Sequence, residues 1–148
     1  MQKKPFVTLP QIEEMVKTYP TPFHLYDEKG IRENARRLYQ AFSWNKGYKE
    51  YFAVKATPNP RLLQILKEEG CGVDCSSLTE LMMSEACGFS GTDIMFSSND
   101  TPVEDFVLAD KLDATINLDD ITHIEFLENA IGRIPERISC RYNPGGTF

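Results

Sequence analysis

The chain has 148 residues, 41% hydrophobic and 26% charged, with a formal net charge of −6. These proportions are those of an ordinary globular domain with room for a sizeable core. The acidic balance argues against a nucleic-acid surface or an anionic-membrane binder, and the densest basic spot is only "RRL" at 36–38.

The elements alternate along the chain. Residues 10–19 predict a short helix opened by Pro10 and closed before Pro20, and residues 22–27 predict a short strand. Residues 28–42 place Ile31, Ala35, Leu38 and Phe42 on one helical face. Strand 49–55 then leads to helix 60–69, with Pro60 at its start and Gly70 just past its end. Strand 71–75 leads to helix 77–86, strand 93–97 to helix 102–111, and strand 113–117 to helix 120–130. A last strand, 136–142, runs into "NPGGTF".

Each strand–helix unit takes about 20–25 residues, which suits parallel strands joined by helical crossovers. Two architectures follow. A doubly wound sheet would be complete at this size, whereas a (β/α)8 barrel of about 250 residues would be about five-eighths present. No Gly-x-Gly-x-x-Gly follows a strand, so nothing points to a dinucleotide fold. The expected class is α/β, an incomplete TIM-type barrel.

The first twenty residues hold no apolar run of signal-peptide length, and no stretch reaches transmembrane length. The expected location is the cytoplasm. Cys71, Cys75, Cys87 and Cys140 fit no zinc spacing with His24 and His123, so no metal is expected and the thiols are read as small buried side chains.

Ligands in parallel α/β folds collect at the carboxyl ends of the strands. The polar residues there are Lys55; Asp74 with Ser76, Ser77 and Glu80; Ser97, Ser98 and Asn99; Asn117, Asp119 and Asp120; and Arg141 with Asn143. Lys55 ends "YFAVK", where alternation puts Tyr51, Ala53 and Lys55 on one face. On a barrel axis, partly desolvated, its amine would be available as a nucleophile; otherwise it is an ordinary solvated strand-end lysine. Asp74 and Glu80 have a structural reading too, since Ser76 or Ser77 can cap helix 77–86 with Glu80 at or near N3 of a capping box. Arg141 taken alone reads as a surface ion-pair partner.

Three segments together change this balance. "YFAVKA", "GVDCSSLTEL" and "CRYNPGG" resemble, in order and spacing, the N-terminal half of the fold-type III pyridoxal-phosphate decarboxylases, nearest to the diaminopimelate decarboxylase group. "TPFHLYDEKGIRENARRL" is similar to that family's lead-in segment. Position by position, the resemblance implies that Lys55 is the catalytic lysine and forms an imine with pyridoxal 5′-phosphate (PLP). It implies that Asp74 lies close to that lysine and the cofactor, and that Glu80 supports the same region. Arg141 would bear on the cofactor's ring-hydroxyl side or on substrate.

The same resemblance implies a small amino-acid substrate, most nearly meso-diaminopimelate giving L-lysine and carbon dioxide, and a homodimer sharing its active site. Residues 1–27 would pack with a C-terminal β-domain, and residues 28–148 would form the first part of the PLP-binding barrel. The family's ring-stacking histidine, glycine-rich phosphate loop and glutamate at the pyridine nitrogen are expected beyond residue 148. The chain alone is therefore expected to be inactive and to associate through open sheet edges. Two departures are "VKAT" where "VKAN" is commoner, and Ser-Leu in "CSSLTEL" where many members have Gly-Gly. The alternatives are an ornithine- or arginine-type decarboxylase, an amino-acid racemase, or a non-catalytic PLP-binding relative. A racemase typically has Ala-Tyr-Gly-His where this chain has "ATPNP".

Overall fold

In the computed structural model, which describes residues 4–142, 144 and 145, the repeated strand–helix units form one five-stranded parallel sheet. Its strands are β1 (Tyr51–Ala53), β2 (Gly72–Cys75), β3 (Ile94–Ser97), β4 (Thr115–Leu118) and β5 (Ile138–Cys140). Helices α3 (Pro60–Glu68), α4 (Leu78–Ala86), α5 (Val103–Lys111) and α6 (Thr122–Ile131) connect them, preceded by α1 (Leu9–Thr18) and α2 (Glu28–Ala41).

The strand order is β1-β2-β3-β4-β5, with every neighbouring pair parallel. A doubly wound sheet reverses its order at a switch point, whereas an opened barrel keeps sequence order. The core agrees with the barrel. Val73, Cys75, Ile94, Phe96, Ile116 and Leu118 are buried with Leu63, Leu81, Phe106 and Leu127 of the helices. Each large side chain so enclosed contributes roughly 1.5–3 kcal/mol. The alternate residues Asp74, Met95, Ser97 and Asn117 line the opposite, open face. The sheet is therefore covered by helices on one side and forms part of a barrel wall.

Three helices end alike and set where the next strand begins. After α3, the Gly70 and Cys71 N–H groups donate to the Lys67 and Leu66 carbonyls. Gly88 and Phe89 repeat this after α4, and Asp113 and Ala114 after α5. This pairing needs a left-handed residue, supplied by Gly70, Gly88 and, at φ 55°, Asp113. Because Asp113 is spent on that cap, β4 starts at Thr115 rather than at residue 113.

Other sequence expectations are corrected. Residues 22–27 form no strand; that segment has no neighbouring strand to take its backbone hydrogen bonds. Strand 49–55 shrinks to Tyr51–Ala53 because Val54–Ala56 coil into a 3-10 turn closed by the Thr57 N–H on the Val54 carbonyl at 3.2 Å. The last strand, expected over 136–142, spans Ile138–Cys140 at the sheet edge, and there Cys140 is exposed while the other three thiols are buried. Helix α1 buries none of its residues.

Candidate active site

Each strand delivers its last residues to the same rim. At β1, fully buried Val54 anchors the turn in the core, and Lys55 beside it projects into solvent. The turn is held from the other side by Asn59, whose carboxamide oxygen accepts the Arg61 N–H at 3.0 Å and opens α3. Lys55 is exposed, the ordinary solvated state rather than the partly desolvated one, and both β1 and β5 are edges of the described sheet with the face beside them open.

Asp74, next to last in β2, faces that open side. The Ser97 hydroxyl donates to Asp74 Oδ1 at 2.6 Å. Burial pushes the Asp74 carboxyl above its usual range, while the Ser97 hydrogen bond and the positive charge of Lys55 act against that push. Glu80 adds to the rise, and Arg141 opposes it. Of these residues, Asp74 and Arg141 line the same cavity.

Glu80 has the capping role that its spacing allowed. Ser77 is the N-cap of α4 and accepts the Glu80 N–H, while the Glu80 carboxylate accepts from the Ser76 N–H at 2.9 Å and its hydroxyl at 3.1 Å. Arg141 follows β5, its N–H on the Leu118 carbonyl at 2.9 Å. Its guanidinium lies 2.7 Å from Asp119 Oδ1. That approach is an ion pair rather than a directed hydrogen bond, since Oδ1 is a buried atom without a bonded donor among the described residues.

A cavity of about 310 Å³ on the open face is lined by Tyr51, Asp74, Met95, Ser97, Asn117, Ser139 and Arg141. Ser139 donates to Asn117 Oδ1 at 2.8 Å, and the Tyr51 hydroxyl donates to the Thr92 carbonyl at 2.7 Å. Asp74, Ser97, Asn117 and Arg141 were legible as strand-end residues. Met95 and Ser139 were not singled out, although each lies two positions before a named residue and so shares its face, and Tyr51 was placed only on the face expected for Lys55. Lys55 and Glu80 do not line this cavity. Asp120 serves α6, accepting from the Thr122 N–H and hydroxyl, and Ser98 is buried. Asn143 lies outside the described residues.

Comparison with known proteins adds an independent line. The family model described as pyridoxal-dependent decarboxylase, pyridoxal binding domain, matches residues 28–147. Protein TabA of Pseudomonas amygdali pv. tabaci is 42% identical over 139 residues, 94% of this chain and 32% of that protein. Diaminopimelate decarboxylase of Thermoplasma acidophilum is 35% identical over 134 residues, 90% of this chain and 32% of that protein. The chain thus spans about a third of the length of these curated relatives. Among solved structures, Helicobacter pylori diaminopimelate decarboxylase complexed with L-lysine superposes with a TM-score of 0.69 at 28% identity, over 80% of this chain and 30% of that one. Lysine decarboxylase from Selenomonas ruminantium reaches 0.78 at 20% identity, over 87% and 33%, a likeness of fold. The chain belongs to the pyridoxal-dependent decarboxylase family, whose pyridoxal-binding domain it carries.

Proposed function

We propose that the chain is the N-terminal part of a PLP-dependent amino-acid decarboxylase acting on meso-diaminopimelate, releasing carbon dioxide and L-lysine. The observation that carries the reading is the wall of Asp74, Ser97, Asn117 and Arg141 gathered at the strand ends of a chain that matches the pyridoxal-binding domain over residues 28–147. With Lys55, that donor set fits a pyridoxal group: an exposed amine for its aldehyde, and an acid and a guanidinium for polar ring substituents. Lys55, Asp74 and Arg141 would hold the cofactor, with Glu80 supporting them by fixing the start of α4 beside Asp74.

Bound PLP supplies an electron sink for the carbanion left when carbon dioxide departs. The residues of this chain do the rest. Lys55 would hold the cofactor through its amine and would give or take a proton at Nζ. Asp74 stands as the acidic partner that a changing charge at Nζ requires. Arg141, steadied by Asp119, keeps a fixed positive charge at the rim. The proposed enzyme is a cytoplasmic homodimer with its active site shared between subunits, residues 1–27 packing on a C-terminal β-domain.

The substrate is supported by relatives named diaminopimelate decarboxylase at 35% identity. A second reading, another fold-type III member with a different substrate, is favoured by the 42% identity to Protein TabA. The test is carbon dioxide release and lysine formation by the full-length protein, with meso-diaminopimelate, ornithine and arginine offered separately. Turnover of diaminopimelate with lysine as product supports the first reading. Turnover of another substrate alone overturns it.

A further inference from the structure

Asp74 Oδ1 and the Ser97 hydroxyl are 2.6 Å apart, within the short range of an O–H donor on an ionised carboxylate. The contact follows from the sheet register. Asp74 pairs with Met95 on β3, so Ser97, two residues on, sits on the same face one step nearer the rim. The other hydroxyls lining the cavity are committed elsewhere, Tyr51 to the Thr92 carbonyl and Ser139 to Asn117. Of the charged groups around Asp74, Lys55 on the turn after β1 and Arg141 after β5 favour its ionised form, and Glu80 on α4 disfavours it.

We propose that Ser97 is a positioning residue that holds Asp74 as an oriented carboxylate on the open face, its hydroxyl fixed on Oδ1, ready for the charge that the cofactor lysine brings to that rim. This rests on the reading of Lys55 as the cofactor lysine. A half-buried carboxylate tends toward its neutral form, and a neutral acid cannot balance an ammonium or accept its proton. A serine in a strand is poor packing material, and this one has a partner for its hydroxyl. The bond is also directional, fixing the plane of the carboxyl group as the flexible Lys55 and Arg141 side chains cannot.

The test reads Asp74 itself. The Asp74 carboxyl is followed by carbon-13 NMR across an acid titration of the full-length protein without cofactor, as wild type, Ser97→Ala and Ser97→Thr. The midpoint is expected to rise in Ser97→Ala and to return toward wild type in Ser97→Thr, which restores the hydroxyl. An unchanged midpoint in Ser97→Ala, or a Thr variant that behaves like Ala, overturns the proposal. A purely structural serine would lower stability in both variants without moving this midpoint selectively. In parallel, pyridoxal 5′-phosphate is fixed to the full-length protein by borohydride and mapped. Cofactor mass on a lysine other than Lys55 would overturn the placement of Asp74 as its partner, whatever the titration shows, so the two failures are told apart.

Discussion

At Gly72 an added methyl group would lie 2.7 Å from the Asp93 carbonyl oxygen and 2.7 Å from the Tyr51 ring. The strand there has no room for a side chain because Tyr51, tied by its hydroxyl to the Thr92 carbonyl, lies over the glycine as one wall of the cavity. A backbone oxygen cannot step aside as a flexible side chain can. Gly72→Ala is therefore expected to destabilise the chain by about 1–3 kcal/mol, the usual range for overpacking. Urea unfolding checks it, and a midpoint equal to wild type would show that the Tyr51 wall is soft. Lys55 is a different kind of residue. Its chemical type and place in the chain were legible from "YFAVKA", and its exposure was one of two readings left open there, because burial of a rim residue depends on what encloses the rim.

Between elements, charge does much of the joining of α2 to α3. Arg32 reaches Glu68 at 2.5 Å and Glu69 at 3.0 Å, and Arg36 reaches Glu69 at 2.6 Å. Hydrogen bonds from Arg36 and then Arg32 hold the Glu69 carboxyl below its ordinary value of 4.5. A carboxylate depressed in the folded state adds stability that is present above its ordinary value and lost as pH falls through the folded one. Glu69→Gln is therefore expected to be less stable than wild type at neutral pH, with the gap closing at acid pH below that window. Thermal unfolding from pH 7 down to pH 3 would show it, and a gap that stays constant would contradict the ion-pair account. The helices were well marked in the sequence because Pro60, Gly70 and Gly88 punctuate them. Strand bounds were less legible. Asp113 does a glycine's work without being glycine, Val54 gives its carbonyl to a turn, and residues 22–27 carry strand-forming side chains but meet no strand.

At the scale of the molecule, sequence-ordered parallel strands with helices on one face turn every strand end toward one rim. That is why the polar strand-end residues of the sequence include Asp74, Ser97, Asn117 and Arg141, which share one wall. That set leaves out Met95 and Ser139, which act from one pleat deeper, and does not separate Glu80 as helix cap from Glu80 as ligand. The charges of Lys55, Glu80 and Arg141 converge on Asp74, so the account stands or falls on whether Lys55 is the residue that holds the cofactor. Borohydride reduction of the full-length protein with PLP, followed by peptide mapping, tests this most directly. The account predicts the cofactor mass on Lys55 and its loss in Lys55→Ala, with Lys55→Arg giving no rescue because a guanidinium stays protonated. Cofactor mass on Lys46, Lys49 or Lys67 would contradict it.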